Sequence, residues 1–171
     1  MKYVKFIYMV VILYVSSCEY NNKEDIKVGS TLDYTFNHDI KCETVECMML
    51  WVADDNNVEY RYDTDISEHI TDYFQLPHET YIMRKGDCED FSLLLAQLLY
   101  ELTPEKSIYL VGMPLTIDSG HVALYYDGDF YEPQTGLIMS EPKNISWLCP
   151  YDQAIWMAQN HHDFVGRYTY F

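Results

Sequence analysis

Positive charge is scarce in this chain. Its 171 residues carry 11 Lys and Arg against 27 Asp and Glu, a formal net charge of −16. Such a field repels phosphate backbones and anionic lipid heads, which excludes a nucleic-acid binder and a protein held on membranes by charge. Solubility accounts for the acidic excess; a basic substrate is the alternative. No apolar run reaches the roughly 20 residues that span a bilayer, and no CxxC pair supplies a structural zinc site. The acidic stretch Asp54-Asp55-Asn56-Asn57 lacks the glycine and the closing glutamate of a twelve-residue calcium loop, so it reads as a turn. There is no internal repeat and no low-complexity block. Nothing in the pattern calls for a metal or another cofactor. Disorder is excluded as well, because 49% of the residues are apolar. The length suits one domain with a core of its own.

What is present starts with an export signal. Lys2 and Lys5 precede an apolar run from Phe6 to Val15. The run is too short for a membrane span and right for a signal peptide. Val15-Ser16-Ser17-Cys18 resembles the bacterial lipobox. The resemblance implies cleavage before Cys18, a lipid on its thiol, and a place in the bacterial cell envelope, anchored to a membrane on the extracytoplasmic side. An ordinary signal peptide or an uncleaved anchor is the alternative. The chain then divides into a signal peptide (1–17), a polar flexible tether (18–30) and one domain (31–171). Export permits disulfides among Cys42, Cys47, Cys88 and Cys149. Cys42 and Cys47 fall in what reads as a single helix, on different faces, so a bridge between them is not expected. Pairing of either with Cys149 stays open.

Hydrophobic spacing predicts the elements. Residues 43–52 have helical spacing, residues 58–63 alternate around Tyr60 and Tyr62, and 67–74 reads as a short helix. The clearest helix starts at Asp87. Phe91, Leu94, Leu95, Leu98, Leu99 and Leu102 form its stripe, Asp87 is its N-cap with Asp90 reaching back, and Pro104 ends it. Strands follow over 107–113 and 121–126. Asp127-Gly128 is a two-residue hairpin signal with a returning strand over 130–132. Residues 151–159 read as a helix with Ile155 and Trp156 inward, and 164–171 as a last strand. Trp51, Trp147 and Trp156 read as core, and His161-His162-Asp163 as a solvated helix end. Helices followed by a helix–strand–hairpin unit make an α+β domain, with the helix that starts at Asp87 packed on a small antiparallel sheet.

Cys88 falls at the first position of the clearest helix, where the helix dipole and unpaired N–H groups favour a thiolate. The same N–H groups can receive a developing oxyanion. Gly86 lets a substrate carbonyl approach closely. Asp87, Glu89 and Asp90 oppose a low thiol pKa, so activation relies on a base. His121 opens a strand after Ser119-Gly120 and is the best candidate. A hairpin centred on 127–128 pairs residues whose numbers sum to about 255, so His121 faces residue 134, with Glu132 two residues away. Either Glu132 or Gln134 can orient the imidazole.

Pro77-His78-Glu79-Thr80 and Gly86-Asp87-Cys88-Glu89-Asp90-Phe91 resemble the transglutaminase-like superfamily of cysteine enzymes. Gly120-His121-Val122 resembles its histidine strand. Tyr131-Glu132-Pro133-Gln134-Thr135-Gly136 resembles its acid segment, where Asp-Pro is usual in place of Glu-Pro. The resemblance covers about Trp51 to Gly136. It implies a papain-like triad with Cys88 as nucleophile, His121 as base and Glu132 as orienting acid, and Gly86, Asp87 and Gln134 in support. It implies acyl transfer from peptide or protein amides, to water or to an amine. A catalytically silent domain that binds peptides or envelope partners is the alternative.

The lipobox reading has a direct test. Cys18→Ala is expected to abolish lipid attachment, seen by mass spectrometry, and to move the protein from the membrane fraction to the soluble fraction. A wild type without lipid would reject it.

Overall fold

A computed structural model describes residues 34–63, 73–116 and 119–160. The elements are α1 (Val45–Val52), β1 (Glu59–Tyr60), α2 (Pro77–Met83), β2 (Lys85–Gly86), α3 (Cys88–Leu102), β3 (Ile108–Pro114), β4 (Gly120–Tyr126), β5 (Asp129–Glu132), β6 (Leu137–Met139), β7 (Trp147–Pro150) and α4 (Tyr151–Asn160). The architecture is α+β. β3 to β7 form an antiparallel sheet in the order β6-β5-β4-β3-β7, and β1 pairs with β2 in a separate parallel ladder. Among the described residues no helix is long and apolar enough to cross a membrane.

α3 is the centre of the core. The leucine stripe predicts burial along one face, yet every residue from Glu89 to Leu99 is buried. α1, α2 and α4 pack around it, and β3 and β4 close the remaining side. Leu94, Leu95, Leu98 and Leu99 are fully buried with Leu110 and Leu124 of the sheet, each contributing about 2 kcal/mol. A second, smaller cluster of Val111, Met113 and Ala123 lies on the opposite face of the sheet, with Tyr125, Phe130 and Met139 against it.

The hairpin register is the one the turn dictates. Asp127 and Gly128 both have positive φ, 49° and 103°, as a primed two-residue turn requires. Leu124 pairs with Tyr131, Tyr125 with Phe130 and Tyr126 with Asp129. The ladder does not extend to His121 and Gln134. After Glu132 the chain turns away, with the N–H of Thr135 and Gly136 donating to the Glu132 carbonyl at 3.2 and 2.9 Å.

Several elements depart from the sequence reading. α2 begins with Pro77 at its first position, and Glu79 reaches back to the Leu76 N–H at 2.8 Å; both are helix-start signals. β6 and β7 lie in segments with no alternating pattern. Tyr73 and Phe74 are outside any helix; the rest of the helix proposed over 67–74, the strand over 164–171 and His161-His162-Asp163 lie outside the described residues. Trp156 is 49% exposed while its neighbour Ile155 is buried, because adjacent helical residues diverge by about 100°. Cys42 and Cys47 are bridged, with Cα atoms 5.4 Å apart. The expectation of no bridge fails because α1 starts only at Val45, with Thr44 as a cap accepting from the Cys47 N–H. Cys42 therefore precedes the helix and bends back onto its first turn. Cys149 is buried in the core outside any disulfide.

Gly112 of β3 pairs with Trp147 of β7, and a Cβ there would lie 2.0 Å from the indole ring. The ring is partly buried and packs against the core, which limits its retreat. Gly112→Ala is expected to destabilise the fold by about 2 kcal/mol, read as a lower thermal midpoint. An unchanged midpoint would show that β7 is loosely attached.

Candidate active site

The loop from Arg84 to Asp87 sets the start of α3. Arg84 ends α2 in the left-handed region, φ 57°, with its guanidinium 4.4 Å from the centre of the Tyr81 ring and 5.2 Å from that of Trp51. The Arg61 N–H then donates to the Gly86 carbonyl at 2.8 Å. Asp90 folds back from the first turn of α3 and accepts the Asp87 N–H at 3.2 Å, the Gln75 N–H at 2.8 Å and the Gln75 amide at 2.6 Å. A Cβ at Gly86 would lie 2.6 Å from the Asp90 Cβ, so glycine here is a steric requirement of that carboxylate.

Cys88 opens α3, half-buried. Its thiol donates to Glu89 Oε2 at 3.1 Å, and it lies near enough to His121 to raise the imidazole. Nε2 of His121 meets Glu132 Oε2 at 2.5 Å, which leaves Nδ1 for the sulfur side. Of the two candidates for the acid, Glu132 takes the imidazole. Gln134 does not reach it: its backbone N–H lies 3.4 Å from Glu132 Oε1 and its buried amide nitrogen has no hydrogen-bond partner. Gly86 and Asp87 flank the sulfur in the chain.

The charges divide in two. Cys88 and then the Glu132 hydrogen bond raise the His121 imidazole to about 10, against burial, which opposes the charge. His121 is thus an imidazolium at neutral pH. On the other side, burial pushes the Glu89 carboxyl well above the ordinary range, reinforced by the charges of Asp87, Cys88 and Asp90. Asp87 is raised by burial and lowered by its hydrogen bond with Glu89. Burial and the neighbouring acids thus shift Glu89 towards its protonated form. Asp90 is also raised, by burial and then by Asp87 and Asp63, with the N–H donors opposing. A carboxyl shifted towards its protonated form exerts less repulsion on a neighbouring negative charge.

Ser92 escapes the sequence reading. It is fully buried one turn beyond Cys88, donates to the Cys88 carbonyl at 2.7 Å and lies 3.1 Å from the Val122 carbonyl. It joins α3 to β4 beside His121. Gln75, which holds Asp90, escapes it too, since no local pattern links residues fifteen apart. Among the described residues one trio of acid, thiol and imidazole donors lies close enough to share an ion: Asp87, Cys88 and Glu89, within 4.8 Å of one another. An ion there would draw the sulfur from His121.

The chain matches the family model of the transglutaminase-like domain over residues 27–131. It belongs to that family, whose match includes Cys88 and His121 and stops one residue before Glu132. No curated protein matches it significantly.

The raised imidazole makes stability depend on pH. A folded-state value of about 10 against an ordinary 6.5 contributes stability in full below about pH 6.5, and that contribution is lost as pH rises through 10. His121→Gln is therefore expected to destabilise the protein by about 2 kcal/mol at about pH 6, and by much less at about pH 10.5, in chemical denaturation. Equal losses at both pH values would contradict an imidazolium.

Proposed function

We propose that the protein is an exported, cysteine-dependent acyl-transfer enzyme acting on peptide or protein amides, with Cys88, His121 and Glu132 as its triad. One observation carries this reading: the imidazole of His121, held by the Glu132 carboxylate at 2.5 Å, also responds to the helix-start thiol of Cys88. The membership of the family supports the same chemistry, and the lipobox supports a lipid anchor at the envelope.

In this reading the proton of Cys88 rests on His121, giving a thiolate beside an imidazolium. The thiolate attacks the amide carbonyl carbon, and the N–H groups at the start of α3 receive the oxyanion. The imidazolium passes its proton to the leaving nitrogen as the C–N bond breaks, leaving an acyl-thioester on Cys88. Water or a primary amine then attacks, His121 takes the proton of the attacking group, and the thiolate returns. Glu132 holds the ring and stabilises its positive charge. The glutamate in place of the usual aspartate reaches the ring from β5 without another residue between.

A second reading is a silent domain that binds peptide or an envelope partner. The bond between the Cys88 thiol and Glu89 favours it, because that contact occupies the sulfur.

Site-resolved alkylation by iodoacetamide separates the two. At about pH 6 Cys88 is expected to react at least ~10-fold faster than a simple thiol. His121→Ala is expected to return it to the rate of a simple thiol, and Glu132→Gln to have a smaller effect. A Cys88 that reacts no faster than a simple thiol, with no change in His121→Ala, rejects the enzyme in favour of the binding domain.

A further inference from the structure

Two aromatic side chains stand beside the nucleophile and have no part in the chemistry above. β1 places Tyr60 opposite Gly86, two residues before Cys88. The ladder uses the N–H groups of Glu59 and Arg61, so the N–H and C=O of Tyr60 are directed away from it. The Tyr60 ring lies 6.0 Å from that of Phe91, and 5.3 Å edge-on from that of Tyr62. Phe91 is three residues beyond Cys88, on the same side of α3. The environment of the Tyr60 hydroxyl agrees with that placement: burial raises it far above the ordinary range, followed by the charges of Cys88 and Asp87. Tyr62 is 61% exposed. The Tyr60 ring, in β1, thus packs on the core, and the Tyr62 ring, just beyond the strand, is open to solvent.

We propose that Tyr60 and Tyr62 wall a subsite that receives an aromatic or large aliphatic side chain of the acyl donor, next to the carbonyl that Cys88 attacks. The proposal rests on the reading of Cys88 as the acylated nucleophile. An apolar occupant fits better than a cationic one. The nearest acid on the strand, Glu59, is paired with Arg61 at 2.7 Å, and Lys85 is its partner across the ladder. β1 thus offers a cation no unpaired acid, while the two rings offer apolar surface. An apolar side chain instead covers the exposed Tyr62 ring, and the outward N–H and C=O of Tyr60 suit an extended chain laid alongside.

Two chloromethyl ketones with the same reactive group test this, one derived from glycine and one from phenylalanine. The Cys88 thiolate displaces chloride from each, so the ratio of their rates isolates the side chain. The phenylalanyl ketone is expected to inactivate at least ~10-fold faster, the return on burying an aromatic side chain. Tyr62→Ala is expected to bring the ratio towards one, and Tyr62→Phe to preserve it. Tyr62 is exposed, so its loss leaves the core intact; circular dichroism confirms the fold. No preference in the wild type, or a ratio unchanged in Tyr62→Ala, overturns the subsite while rapid, His121-dependent alkylation by iodoacetamide leaves the enzyme reading standing. If Cys88 is inert to both ketones and to iodoacetamide, both readings fall.

Discussion

A single buried carboxylate, Asp90, holds the site together. It closes the start of α3, takes both donors of Gln75, and lies so close to Gly86 that no side chain fits there. It thereby fixes three things at once: the direction in which α3 begins, the path of the chain before α2, and the turn that delivers Cys88. The leucines of α3 then lock that direction into the core. The position of the sulfur follows from helix capping and steric exclusion, before any question of reactivity arises.

The electrostatics follow from the same crowding. Four acids, Asp63, Asp87, Glu89 and Asp90, fall within a short reach of one another in the interior, and burial alone would make that arrangement unfavourable. Upward shifts of Asp87, Glu89 and Asp90 and the N–H donors of Gln75 and Asp87 reduce the cost. His121 supplies the local positive charge, stabilised from one side by Cys88 and from the other by Glu132. In the proposed enzyme an imidazolium beside the sulfur is the resting state that nucleophilic attack needs, and the upward shift of Glu89 lessens the opposing negative charge.

Much of this was legible in the sequence, for identifiable reasons. The start of α3 announced itself through Asp87 and Asp90, and the hairpin through Asp127-Gly128, whose geometry dictates pairing to the residue. Those two signals placed Cys88, His121 and Glu132. The arithmetic of the hairpin set Gln134 opposite His121, and failed there because a ladder ends wherever the backbone turns, which the Glu132-to-Gly136 turn does early. The Cys42–Cys47 bridge was missed because the boundary of α1 lies two residues later than spacing suggests. β6 and β7 were missed because edge strands of three and four residues carry too few positions to show a period. Ser92 and Gln75 act through contacts that no local pattern encodes.

β3 sits second from one edge of the sheet, between β4, which follows it directly, and β7, which arrives after three intervening strands. Contacts on the β4 side join residues close in the chain, so their closure sacrifices little chain entropy. Those on the β7 side span a much longer loop. The order of assembly that this favours begins with α3 and the β3–β4–β5 meander and ends with β7 docking across Gly112. Both His121 and Glu132 belong to the early part. The bringing together of His121 and Glu132 is therefore a matter of short-range contacts, independent of the long loop that β7 must close.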